Sequence, residues 1–174
     1  DKHSMRADRT AVVRFPGDLD LARFPEDPRD RLRAWDASDE YVLRHLGESH
    51  TDLTGTVVII GDRWGALATA LGGFGLTQVS ESYLTQQATR RNLAHGAVPE
   101  DDVRLLTSVD LAEGPSAVPD RIDTLIVRVP KTLALLEDQL RRLAPALHPG
   151  SAVVGTGMVT EIHTSTLDVF TRII

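Results

Sequence analysis

Gly61, Asp62, Arg63 and Gly65 occupy the place where a chain of this pattern would handle a nucleotide. Ahead of them, residues 56–60 (TVVII) form a β-branched run, the composition of a strand buried on both faces. After them, Trp64, Leu67, Ala68 and Leu71 recur at helical spacing, and Gly72-Gly73 closes the helix. Strand, glycine turn and helix make the opening unit of a doubly wound α/β domain, where anionic or ribose groups of a nucleotide meet a helix N-terminus. Such a turn needs glycine wherever the ligand presses on the backbone. Here the middle place of a G-x-G-x-G spacing is Arg63, a long cation. The turn reads as a nucleotide-binding fold that has lost its nucleotide.

Other residues with chemical potential have plainer readings. Asp36, Asp39 and Glu40 resemble an acidic cluster, but a carboxylate-rich helical turn is ordinarily a solvated face. His45 sits on an otherwise apolar face with Trp35, Tyr41, Val42 and Leu46, and reads as a packed histidine. Seven arginines (6, 9, 14, 23, 29, 31 and 33) crowd the first 33 residues, yet Asp8, Asp18, Asp20, Glu26, Asp27 and Asp30 offset them. A solvated arm of mixed charge is the expectation there.

The elements that must position the turn follow in order. Residues 1–4 read as a tag remnant, with the native start at Met5. Residues 5–31 form an N-terminal arm with short strands at 10–15 and 19–24, and residues 32–174 form the α/β domain. Its first helix spans 32–46, ended by Gly47. Further strands are expected at 75–79, 103–107, 122–129 and 151–156, and helices at 81–95, 131–143 and 164–174. Residues 109–120, with Gly114, Pro115 and Pro119, read as a loop. Strands alternating with helices predict a mostly parallel sheet covered on both sides.

Composition narrows the function. A chain of 174 residues buries a full core. No apolar run approaches the ~20 residues that span a bilayer. The absence of cysteine removes disulfides, thiolate metal sites and thiol catalysis, and fits a cytoplasmic protein; no metal site is expected. A net charge of −6 argues against a surface that grips nucleic acid as a whole.

Three stretches carry a family resemblance: RAWDASDEYVLRHL (33–46), VRVPKTLALLEDQL (127–140) and EIHTSTLDVF (161–170). They resemble the N-terminal half of the ribosomal RNA guanine-N2 methyltransferases of the RsmC/RlmG type. The resemblance implies a Rossmann-like class I methyltransferase fold. It also implies a two-domain enzyme whose C-terminal domain binds S-adenosylmethionine and performs the chemistry, while the N-terminal domain is a degenerate copy. This chain resembles the degenerate copy, with the catalytic domain absent from it.

Compared with an active copy, Ile59-Ile60-Gly61-Asp62-Arg63-Trp64-Gly65 replaces Asp-x-Gly-x-Gly-x-Gly. The leading acid is missing and Arg63 replaces a glycine. The ribose-binding acid after the second strand is Ser80, with Glu81 one step on. The Asn-Pro-Pro-Phe motif that accepts the target amine is Arg128-Val129-Pro130-Lys131, and a cation can only donate hydrogen bonds.

The expected function is therefore a non-catalytic domain that scaffolds the catalytic domain and helps position ribosomal RNA, with no cofactor of its own. Two alternatives stand beside it: an active S-adenosylmethionine-binding enzyme with a remodelled site, and a pure dimerisation or assembly module. Arg63, Arg128, Lys131, His163 and Thr164 form a candidate cluster at the strand ends. It is read either as an internal ion pair of Lys131 with Asp62 or as a contact to RNA phosphate. Five strands are fewer than a complete sheet of this type contains, so the edge at 151–156 is expected to invite self-association.

Overall fold

In a computed structural model, residues 14, 18–23, 34–48, 52–80, 83–113, 117–128 and 133–156 are described. They form α1 (Ala37–Glu48), β1 (Val57–Ile60), α2 (Ala66–Leu71), β2 (Leu76–Ser80), α3 (Tyr83–His95), β3 (Val103–Thr107), α4 (Ser108–Glu113), β4 (Ile122–Arg128), α5 (Leu133–Leu143) and β5 (Leu147–Thr156). The five strands make one parallel sheet in the order β3-β2-β1-β4-β5.

β1 is central because Val57, Val58, Ile59 and Ile60 are apolar on both sides of the pleat, and all four are buried. Val57 and Ile59 pack with Leu43 and Leu46 of α1, Leu67 and Leu71 of α2, and Leu93 of α3. Val58 and Ile60 face the other way, onto Leu111 of α4 and Leu136, Leu140 and Leu143 of α5. This alternation between two cores is the signature of a doubly wound sheet. The strand order reverses between β1 and β4, so their carboxyl ends frame the ligand crevice of the architecture.

The structure departs from the sequence reading at several ends. α1 begins at Ala37 rather than at residue 32, because Asp36 caps it. Asp36 Oδ1 accepts from the amides of Ser38 and Asp39 at 2.9 and 3.2 Å, and Asp39 Oδ2 accepts from the amide of Asp36 at 3.0 Å. The expected loop 109–120 gives way at its start to α4, which begins at Ser108. Its start is a reciprocal cap in which Asp110 Oδ2 accepts from the Thr107 amide at 2.8 Å and Thr107 Oγ1 from the Asp110 amide at 3.1 Å. β5 starts earlier than residue 151, passing through a register shift opposite Ile122 and Thr124.

His45 is exposed and stacks on Tyr41 with ring centroids 6.4 Å apart, so neither belongs to the packed face. That face is Val42, Leu43 and Leu46. Residues 19–23 form no strand and are not a solvated arm. Leu19 is buried, and Asn92 of α3 exchanges two hydrogen bonds with the Ala22 backbone at 2.8 and 2.9 Å. The expected strand at 10–15 and helix at 164–174 lie outside the described residues, apart from Arg14.

Candidate functional site

The turn after β1 holds its shape through two glycines in the left-handed region, Gly61 and Gly65, both at φ 84°. A Cβ on Gly61 would overlap the backbone carbonyl oxygen of Arg128 at the end of β4. One on Gly65 would lie 2.6 Å from Thr89 Oγ1 and 2.7 Å from Thr89 Cα. Both glycines are thus demanded by neighbouring elements of the chain itself.

Asp62, between them, is buried and turns its carboxylate onto the start of α2. Oδ1 accepts from the Leu67 amide at 3.0 Å, and Oδ2 accepts from the Ala68 amide at 2.8 Å and from Gln78 Nε2 at 3.0 Å. Free amides in a first helical turn are what an anionic ligand would use. Here the chain's own carboxylate takes them. Gln78 Nε2 also donates to Thr89 Oγ1 at 2.9 Å, tying the middle of β2 to α3. Burial pushes the Asp62 carboxyl above its ordinary range, and the bonds from Ala68, Gln78 and Leu67 oppose that rise.

Arg128 closes the crevice from the β4 side. Its side chain is only 11% exposed and pairs with Asp36 and with Asp39, whose Oδ1 stands 3.5 Å from Arg128 Nε. Burial is the main force that pushes the Asp39 carboxyl up to about 7, with Arg128 pulling it down. The acidic turn of α1 is therefore not the solvated face expected. Asp36 caps the helix and pairs with Arg128, Asp39 is buried, and Glu40 Oε1 accepts from Trp35 Nε1 at 3.0 Å.

Above these groups lies a hollow of about 260 Å³ lined by Arg23, Trp35, Asp36, Asp39, Arg63, Trp64 and Arg128. The guanidinium of Arg23 stands 5.0 Å from the Trp64 ring centroid, within cation–π range. Trp64 sits in the turn rather than in α2, held by Asn92 Nδ2, which donates to its carbonyl oxygen at 2.8 Å. Arg63 is exposed at the rim.

The structure thus brings Gly61, Asp62, Arg63, Gly65 and Arg128 together. Ser80 ends β2, buried, and its hydroxyl donates to the Leu106 carbonyl at 3.4 Å. Glu81, Lys131, His163 and Thr164 lie outside the described residues, and so does the expected pair of Lys131 with Asp62. Sequence reasoning missed Gln78, Thr89 and Asn92, which hold the turn. A signal existed: each is a polar residue inside an otherwise buried strand or helix face. Among the described residues no group of His, Asp and Glu side chains is placed to hold a metal ion, and no helix is long and apolar enough to cross a membrane.

Comparisons with known proteins agree with this architecture. A candidate SAM-dependent methyltransferase from Streptococcus mutans superposes with a TM-score of 0.59 at 10% identity, over 79% of this chain and 39% of that one. At that identity the likeness is one of fold. Two curated relatives are each 62% identical: the ribosomal RNA large subunit methyltransferase G of Streptomyces coelicolor, matched over 91% of this chain and 40% of the relative, and that of Streptomyces avermitilis, over 88% and 39%. The chain spans about 40% of the length of these relatives. Residues 10–174 match the family described as the RLMG N-terminal domain. The chain belongs to that family, and its fold is the Rossmann-like fold of methyltransferases.

Proposed function

We propose that this chain is the non-catalytic, methyltransferase-like domain of a ribosomal RNA large subunit methyltransferase. It supports a catalytic domain elsewhere in the protein and helps position ribosomal RNA. The observation that carries the reading is Asp62, whose carboxylate takes the α2 amides that an anionic ligand would need. Arg128 strengthens it: a paired, buried guanidinium stands at the end of β4, and it has no acceptor to offer a target amine.

The residues present do not fit S-adenosylmethionine, the methyl donor that relatives of this fold imply. At the turn Asp62 already holds the α2 amides and Arg63 stands at the rim in place of a glycine, so the reading assigns the methyl donor to the remaining part of the protein. The reading is tested by expressing that part alone and adding this chain in trans. Methyl transfer to ribosomal RNA is expected to be weak without the chain and to recover with it. Full activity without the chain would overturn the scaffold role. Calorimetric binding of S-adenosylmethionine to this chain would restore the active-enzyme alternative.

A further inference from the structure

We propose that the hollow over the β1 and β4 ends binds one unpaired nucleotide of RNA. The base packs beside Trp35 and Trp64, and its phosphate is held by Arg63. This inference rests on the reading that the domain meets RNA, and it names where.

The chain has two tryptophans, and both line this one hollow, partly exposed rather than packed into either core. Aromatic faces are sequence-tolerant platforms for single-stranded bases, and guanidinium planes stack on bases as well. Arg23, already lying over Trp64, supplies such a plane.

The charge is also right. Among the described residues, three arginines line the hollow against two aspartates, on a chain whose net charge is −6. The two aspartates both meet Arg128. Arg63 makes no hydrogen bond or ion pair among the described residues and stands exposed at the mouth, where a phosphate would pass. A volume of about 260 Å³ is on the scale of one base, and a base held in a hollow must be out of its duplex stack.

The test uses the emission of these two tryptophans. An eight-nucleotide single-stranded RNA of mixed sequence is titrated into the 174-residue chain, with the same sequence as a duplex for comparison. Expected are saturable quenching by the single strand and little by the duplex. Trp64→Leu is expected to weaken binding roughly tenfold, within the range for one lost stacked base. Arg63→Glu, at an exposed position that leaves the fold intact, is expected to weaken binding and reduce the salt slope by about 1.

RNA binding that leaves the emission unchanged, or that Arg63→Glu does not alter, overturns the site while leaving the proposed function standing. Binding of no RNA at all overturns the site and the RNA-positioning part of the proposed function, while the scaffold role answers to the experiment in trans. If the longer protein shows the same tryptophans covered and unresponsive to RNA, the hollow is a seam between domains and the proposal falls.

Discussion

Arg128 Nε stands 3.5 Å from Asp39 Oδ1, with the two side chains only 11% and 7% exposed. The pair joins the end of β4 to the first turn of α1, and it places a titrating carboxyl inside the crevice beside Asp36 and Asp62.

That carboxyl makes stability depend on pH. With its pKa raised from 3.8 to about 7, Asp39 holds a proton in the native state that the unfolded chain releases. Stability from this group is fully present below the unfolded value and is lost as pH rises toward 7, by at most about 1.4 kcal/mol per pH unit. Asp62, also raised, acts in the same direction. Urea midpoints measured from pH 5 to 8 are expected to fall, and Asp39→Asn to flatten the fall. A midpoint that climbs over this range contradicts the assignment.

Asp62 is expected to be the costliest residue of the turn to remove. Asp62→Ala leaves the Leu67 and Ala68 amides without their acceptor in a dry interior and removes one of the acceptors of the Gln78 side chain, which keeps Thr89. The expected loss is about 2–4 kcal/mol, with Asp62→Asn costing less because one oxygen remains. Equilibrium denaturation of the two variants checks the order.

Restoring glycine at the middle of the turn is expected not to restore a cofactor site. Arg63→Gly clears a side chain from the rim but leaves Asp62 on the α2 amides. The melting temperature of either the wild type or this variant should not move at millimolar S-adenosylmethionine. A ligand selective for the native state must raise it, so a rise of several degrees would contradict the expectation.

β5 is the outermost strand on its side of the sheet among the described residues. An unpaired parallel edge recruits other chains. We expect concentration-dependent self-association, eased when the protein extends past Ile174. Sedimentation velocity of the two forms would show it, and identical behaviour would count against it.

The sheet was legible because its signals are local and strong. The β-branched run at 57–60 and the leucine spacing of 133–143 leave little freedom in how they bury. β3 needed no adjustment, and β2 moved by one residue. The ends were less legible, because caps decide them. α1 and α4 are each capped by a pair three residues apart, Asp36 with Asp39 and Thr107 with Asp110, a spacing that is easily read as surface charge. At the crevice, the residue types at Asp62 and Arg63 could be read from their neighbours. The partners could not: Arg128 meets Asp36 and Asp39 across some ninety positions of chain. Long-range ion pairs leave no periodicity to detect.

Gly61 abuts the Arg128 carbonyl and Gly65 abuts Thr89, so each is selected by the chain's own masonry. A copy of this fold that bound nothing at the turn would still need both residues. Their presence is that of a joint, and it carries no news about whether anything docks there. The letters worth comparing among relatives are those between the glycines, at positions 62 and 63, where no neighbouring backbone dictates the choice.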